Sequence, residues 1–446
     1  MDRVQNGGLR LKHRVAVIGA GWAGAAAALT LARADVAVTV FEAAKIVGGR
    51  ARRVEKTERS FDNGQHILLG AYDRSLALIA SLHGEHVDHV LERRSLSMRM
   101  AAHLPEPLVL RAGAGPAPLH LATGLLAARG LTISEKVATC LWATKYLLCA
   151  RPAASATVSE LINEQPRRVR ALLWEPLCVA ALNTPAERAS AGVFIEVLRR
   201  SFLPNRSASD MMLPRVDLSA LLPEPALAEV VARGNTVLTS SVVMALRNED
   251  AGVSLVTRDA EHAFDQVIIA TGPQHVARLL ESFEHSQLLR HALESLQYEP
   301  ISTLHYEFSA GMDATDAAML MLDGAPGQWL FAQRLPNGRV RASVVISAHH
   351  RADDEADLLR NGLAQLRQSF ALPEPIWSQL ITEKRATYSC TPAQVELLSH
   401  LPRAVGAVRF AGDWCVPELP ATLESAVISG ERAAQAIIQS LPKLTN

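Results

Sequence analysis

Arg14-Val15-Ala16-Val17-Ile18-Gly19-Ala20-Gly21-Trp22-Ala23-Gly24 is the stretch that decides the fold. Arg14 to Gly19 is a short apolar run ending in glycine, the pattern of a buried parallel strand. Ala23 to Ala34 is rich in Ala and Leu and has no breaker, so it reads as a helix. Val36 to Glu42 is a second β-branched run. Strand, helix and strand within about 30 residues is the unit of a parallel α/β sheet. Between the first strand and the helix stands Gly19-x-Gly21-x-x-Gly24. Gly19 permits a tight turn, Gly21 lets backbone approach a pyrophosphate, and Gly24 lets helix and strand pack closely. The helix start offers free N–H groups and partial positive charge to phosphates. Glu42 ends the second strand, where its carboxylate can accept from ribose hydroxyls. An acid there disfavours a 2′-phosphate, so NADP is not the expected ligand.

The remaining chain sets limits. Of its 446 residues, 45 are Lys or Arg and 45 are Asp or Glu, which argues against a basic nucleic-acid surface. Apolar residues make up 49% and charged residues 20%, the balance of a globular protein with a large core. Cys140, Cys149, Cys178, Cys390 and Cys415 are scattered, with no C-x-x-C pair, so neither a disulfide framework nor a Cys-rich zinc site is expected. Met1 to Arg14 is polar and basic, without a signal-peptide core. Val137 to Ala150 is apolar but shorter than the roughly 20 residues that span a bilayer. A cytoplasmic protein is expected.

Residues 95–212 are Pro-containing and helical, with helices over Leu119–Ala128, Ser134–Cys149 and Val193–Ser201. Strands return at Thr236–Leu246, Val253–Arg258 and Gln266–Thr271, then at Thr303–Phe308 and Val340–Ile346, with a helix around Asp354–Phe370. Ala407–Ala411 is a last short strand before a helix over Ala421–Gln439. The fold class is α/β. A discontinuous Rossmann-like cofactor domain (1–95, 215–285, 385–446) carries an inserted mixed α+β substrate domain (96–214, 286–384).

Two more motifs refine the cofactor. Glu42 leads through Ala43-Ala44-Lys45-Ile46-Val47 to Gly48-Gly49-Arg50. The glycine pair lets backbone fold over a ligand, and Arg50 offers a charged fork to a phosphate. Near the other end, Phe410-Ala411-Gly412-Asp413-Trp414 closes a strand and Leu419-Pro420-Ala421-Thr422-Leu423-Glu424 opens a helix. The E-x5-G-G-R spacing resembles the signature of the amine oxidase and carotenoid desaturase flavoprotein superfamily. That resemblance implies FAD. It places Gly412 and Asp413 against phosphates or ribitol, and the helix start at Ala421, Thr422 and Leu423 against the flavin's pyrimidine edge. It puts Val243, on the strand from Val237, against the adenine, and Ala270-Thr271-Gly272 at a strand-closing turn.

Phe61-Asp62-Asn63-Gly64-Gln65-His66, Trp174-Glu175-Pro176-Leu177-Cys178-Val179-Ala180-Ala181-Leu182-Asn183-Thr184-Pro185 and Lys384-Arg385-Ala386-Thr387-Tyr388 are more distinctive. With the Leu419–Glu424 segment they resemble the squalene-associated FAD-dependent desaturase family, from Val15 to about Ala434. The resemblance implies non-covalent FAD whose reduced form gives a hydride to hydroxysqualene, with loss of water and formation of squalene. The hydroxyl is allylic, so its protonated departure leaves a stabilised cation. Such a site needs a cofactor clamp, a greasy tunnel and one proton donor. Gly64-Gln65-His66 runs near the flavin in relatives, so His66 is the first candidate donor, with Tyr388 and Asp62 next. Asp62 also fits an Asx turn with Asn63-Gly64. Cys390 does not match a flavin-linking motif, and no Lys suits the water-activating role of amine oxidases. A desaturase running the hydride the other way shares every cofactor motif; an amine oxidase or a non-catalytic lipid escort fits less well. A thirty-carbon product barely dissolves in water, so residues 119–150 are expected to touch a membrane surface.

Overall fold

The computed structural model describes residues 13–441, apart from 57, 102, 105, 251, 285, 314–317, 351 and 352. The polar N-terminal segment therefore lies almost wholly outside the described residues.

A six-stranded sheet organises the cofactor half. Its order is Thr236–Leu238, Ala37–Phe41, Arg14–Ile18, Gln266–Ile269, Val408–Phe410, Ala404–Val405. The first five strands run parallel and the last is antiparallel. Strand order reverses between Arg14–Ile18 and Gln266–Ile269, which opens a crevice beyond the carboxyl ends of those strands. Three separate stretches of chain thus meet in one sheet. The helix Trp22–Arg33 buries ten of its 12 residues. It lies between the sheet, Pro223–Ala232 and the long helix Leu423–Ser440. That explains its alanines: a helix covered on all sides has no polar face, and small side chains allow close approach. At Gly430 an added Cβ would strike the Ala23 carbonyl.

A five-stranded antiparallel sheet supports the other half, in the order Leu320–Met321, Trp329–Arg334, Val340–Ser347, Tyr298–Phe308, Trp377–Tyr388. One face (Leu304, Tyr306, Phe308, Leu330, Val344) packs with Leu358 and Leu366 of the helix Glu355–Arg367. From the other face, Trp329, Val345, Ile301 and Phe331 join a large apolar cluster containing Trp142, Trp174, Tyr388 and Trp414. One core therefore runs from the helical insert to the end of the parallel sheet. Among the described residues no helix is long and apolar enough to cross a membrane.

One expected strand breaks. Thr236 to Leu246 is not continuous: the strand stops at Leu238, and the next begins at Ala245. Ser240 takes φ +55°, and the Ser240 and Ser241 N–H groups donate to the Ala44 and Glu42 carbonyls at 3.1 and 2.8 Å. Val243 is thus buried in a connection and not on a strand. The hairpins over Ala245–Phe264 form a separate antiparallel sheet.

Candidate active site

The glycine loop is shaped by close backbone contacts. Gly19 has φ +102°, and a Cβ there would lie 2.9 Å from the Ala270 carbonyl oxygen. A Cβ on Gly24 would overlap the Gly19 carbonyl. Gly48 and Gly49 have φ +122° and +63°, and an added Cβ on Gly49 would stand 3.1 Å from the Gly21 Cα. The two glycine motifs therefore pack directly on each other, and Gly48 N–H donates to the Ala20 carbonyl at 2.9 Å. The helix behind Gly21 has no side-chain cap and no acid in its first turn, so its leading N–H groups face the crevice uncompensated. Glu42 accepts from the Ala20 and Ala44 N–H groups at 2.7 and 2.8 Å, one on each carboxylate oxygen. Each oxygen keeps a lone pair for a ribose hydroxyl.

The far motif closes the same crevice. Gly412 (φ +145°) donates its N–H to Ser429 Oγ at 2.8 Å. Asp413 is buried and accepts the Trp414 N–H at 3.0 Å. Its other oxygen meets Arg50 Nη2 at 2.7 Å, while Arg50 Nη1 donates to the Ala386 carbonyl at 2.7 Å. The Arg50 fork expected to hold a phosphate instead locks the first motif to the last. Thr422 caps the helix Leu423–Ser440 in a reciprocal box with Ser425, with Ala421 preceding it and Leu423 buried behind it. Glu424 points away and accepts the Arg74 and Ser75 N–H groups at 2.9 and 2.8 Å.

Of the buried polar atoms without a partner among the described residues, Thr271 Oγ1 and Trp414 Nε1 lie beside the glycine turns. A Cβ on Gly19 would lie 3.3 Å from Thr271 Cγ2, and one on Gly412 would lie 2.8 Å from Trp414 Nε1. Both orphans therefore sit at the mouth of the crevice. An uncapped helix, a cradle that any Cβ would fill and two unpaired polar atoms fit a bound dinucleotide.

The proton-donor candidates separate. His66 Nδ1 donates to the Gly64 carbonyl at 2.8 Å, which leaves Nε2 as the free lone pair. Burial lowers its pKa and the neighbouring Arg50 lowers it further, against the Gly64 bond, so the ring is held towards neutrality. Tyr388 is buried and donates its hydroxyl to the Leu419 carbonyl at 2.9 Å; burial raises its pKa well above the ordinary tyrosine range. Asp62 accepts the Leu218 N–H at 2.8 Å, an interaction across 156 residues and not with its own turn. Burial pushes its pKa up to about 7, opposed by that N–H bond and raised further by Asp217.

A raised carboxyl pKa has a sign. Asp62 contributes stability at pH below its ordinary 3.8 and loses it as pH rises through about 7. Asp62→Asn keeps an acceptor for Leu218 and never ionises. Its melting temperature relative to wild type is therefore expected to rise between about pH 5 and about pH 8. The gain is on the order of 1 kcal/mol, because the side chain is partly solvated. A difference between variant and wild type that is the same at both pH values would refute it.

The distinctive middle segment proves to be a support. Asn183 (φ +46°) ends the helix Glu175–Leu182 and donates to the Glu299 carbonyl and Thr387 Oγ1 at 3.3 and 3.0 Å. Thr184 Oγ1 accepts the Cys390 N–H at 2.9 Å. Glu299, fully buried, accepts from Ser389 Oγ (2.6 Å), Arg188 (2.8 Å) and His350 (2.5 Å). This network grips residues 387–390 on both sides of Tyr388. Nothing local in the sequence marks Glu299.

Fold and site together define a flavin-dependent oxidoreductase. The model of the flavin containing amine oxidoreductases matches residues 22–438, and the chain belongs to that family. It is similar to hydroxysqualene dehydroxylase of Rhodopseudomonas palustris, at 31% identity over 96% of this chain and 99% of the relative. It is 29% identical to hydroxysqualene dehydroxylase of Sinorhizobium fredii over 95% of this chain and 98% of that one. Among solved structures, an oxidoreductase from Methanosarcina mazei superposes with a TM-score of 0.75 at 15% identity, covering 96% of this chain and 100% of that one.

Proposed function

We propose that the chain removes the hydroxyl of hydroxysqualene to give squalene, using non-covalent FAD. What carries the proposal is near-full-length similarity to hydroxysqualene dehydroxylases. Gly19, Gly21, Gly24 and the helix start would hold the pyrophosphate, Glu42 a ribose, and Gly412, Asp413 and Ala421 to Leu423 the flavin end. When bound in reduced form the cofactor supplies a hydride. The chain's own residues do the rest. Gly64 fixes the His66 tautomer and leaves Nε2 for the substrate oxygen. Protonated at that atom, His66 delivers the proton that lets the hydroxyl leave as water. Tyr388, its hydroxyl donated to the Leu419 carbonyl, stands within the apolar core. Trp174 and its neighbours exclude water from the cation.

Because burial lowers the His66 pKa, the protonated ring is the minority form at neutral pH and its share grows as pH falls. The single-turnover rate is expected to rise up to about tenfold per unit between about pH 8 and about pH 6. His66→Gln is expected to flatten that slope and to slow the reaction about 100-fold at the acid end. A variant with the wild-type slope would remove His66 from the role.

The decisive experiment is anaerobic. The purified protein is photoreduced, mixed with hydroxysqualene and analysed for squalene by mass spectrometry. Squalene in step with flavin reoxidation supports the proposal. Flavin that stays reduced with no squalene overturns it in favour of a desaturase. Acid precipitation is expected to release FAD into the supernatant. Cys390 and Cys415 are buried with thiol pKa values raised by burial (Cys390 to about 12), poor nucleophiles for a flavin link.

A further inference from the structure

We propose that the helices Leu119–Ala127 and Ile133–Thr144, with the turn Lys145–Cys149, dock on the surface of an anionic lipid bilayer. This goes beyond the proposed reaction and does not depend on its substrate. Among the described residues, eleven large apolar side chains stand exposed, and six of them lie on this one segment. Ile133 (79% exposed), Val137 and Leu141 (68%) follow each other at four-residue spacing, and Leu148 continues the line seven residues later. Leu119 and Leu126 are seven apart on the neighbouring helix, which packs against the second. Spacings of four and seven put each set on one helical face.

These side chains are not loose packing. The opposite face of the second helix is anchored: Trp142 is buried, its ring 4.4 Å from that of Trp174, and its N–H donates to the Leu161 carbonyl at 3.0 Å. The helix thus has one face in the core and a second apolar face with nothing on it, an arrangement that water disfavours.

Charge selects the occupant. The whole chain is balanced, yet residues 111–151 carry Arg111, Arg129, Lys136, Lys145 and Arg151 against one acid, Glu135. Glu135 is consumed in the capping box at Thr132. Lys136 reaches the Leu126 carbonyl at 2.8 Å, and the Lys145 ammonium lies 4.8 Å over the Tyr146 ring while pairing at 3.4 Å with Glu164. Such side chains lay their stems along apolar surface and keep their charge at the interface. A second copy of the same face would bring like charges together, whereas an anionic bilayer matches both apolar line and basic rim. The anchored inner face belongs to the same continuous apolar cluster as Tyr388 and Trp414.

The test is co-sedimentation of flavin-loaded protein with two vesicles: pure phosphatidylcholine, and phosphatidylcholine containing about 30% phosphatidylglycerol. Wild type is expected to bind the anionic vesicles at least about tenfold more tightly, and more weakly as salt rises. Ile133→Ser with Val137→Ser and Leu141→Ser is expected to lose at least about tenfold on the anionic vesicles. Lys136→Glu with Lys145→Glu is expected to erase the difference between the two vesicles. Flavin absorbance and thermal melting report folding; if the triple variant melts early, Leu141→Ser alone serves. Wild type that stays in the supernatant with both vesicles overturns the proposal. So does a serine variant that binds like wild type, or a wild type whose patch instead forms a dimer in sedimentation velocity. Vesicle binding needs no turnover, so neither result bears on the dehydroxylation.

Discussion

Gly24→Val is expected to purify colourless and to resist reconstitution with FAD, with flavin affinity down at least about 100-fold. A side chain at this position has nowhere to go. Its Cβ alone would overlap the Gly19 carbonyl and stand 3.3 Å from Ala270 Cβ. Backbone cannot rotate aside as a rotamer does, so the helix Trp22–Arg33 must back away from its strand. It is buried on its other sides against Leu423–Ser440 and Pro223–Ala232, so retreat there meets packed core. The overpacking cost is about 3 kcal/mol or more. The uncapped N–H groups at Gly21 also swing off the line of the crevice, so affinity falls further than stability. Visible absorbance of the purified protein, FAD titration and a thermal melt measure the two losses. Gly84→Ala is the control. Its added Cβ meets nothing within 4 Å, and the backbone at φ +54° and ψ −129° costs about 1–3 kcal/mol of local strain without touching the cradle. A Gly24→Val protein that is as yellow as wild type would show that the close helix–strand approach is not what the cofactor needs.

The parts of this site that are legible in sequence are the local ones. Strand, turn, helix and strand from Arg14 to Glu42 follow one another without long-range help, and the φ values and clearances at Gly19, Gly24, Gly48 and Gly49 are properties their glycines announce. The rest is set by partners far along the chain. Val243 falls off its strand because Ser240 turns to reach the Ala44 carbonyl, which no spacing reveals. The 12-residue strand Trp377–Tyr388, which carries Glu383, Lys384 and Arg385, is not among the expected strands; pairing with Tyr298–Phe308 along the sheet edge makes it one. Trp174 to Pro185 stands out as a motif, yet its role under Tyr388 appears only when Asn183 meets Thr387 across 204 residues. Glu299 has no local signal, because a lone acid before Pro300 is ordinary until it is buried among Arg188, His350 and Ser389.

Arg50→Ala is expected to lower stability by about 2–3 kcal/mol and to weaken flavin binding, because it leaves an acid buried without its cation. The Asp413 side chain is 7% exposed and that of Arg50 is 39% exposed, so the pair is unequal. Arg50 can return to water when its partner goes. Asp413 cannot, and would keep only the Trp414 N–H. The two single variants should therefore differ: Asp413→Asn keeps an acceptor for that N–H, exposes no orphaned charge and is expected to cost about 1 kcal/mol. The double variant, which leaves no orphaned charge, should cost no more than Arg50→Ala alone, a coupling of about 1 kcal/mol or more that marks direct interaction. Arg50→Lys is expected to recover only part of the loss, since one ammonium cannot serve both Asp413 and the Ala386 carbonyl along the two arms of a planar fork. Urea denaturation of the four proteins, each with and without added FAD, measures the cycle. Additive losses would mean that the first and last motifs are held in place separately, and that the fork between Gly49 and Asp413 is not the clasp on the cofactor crevice.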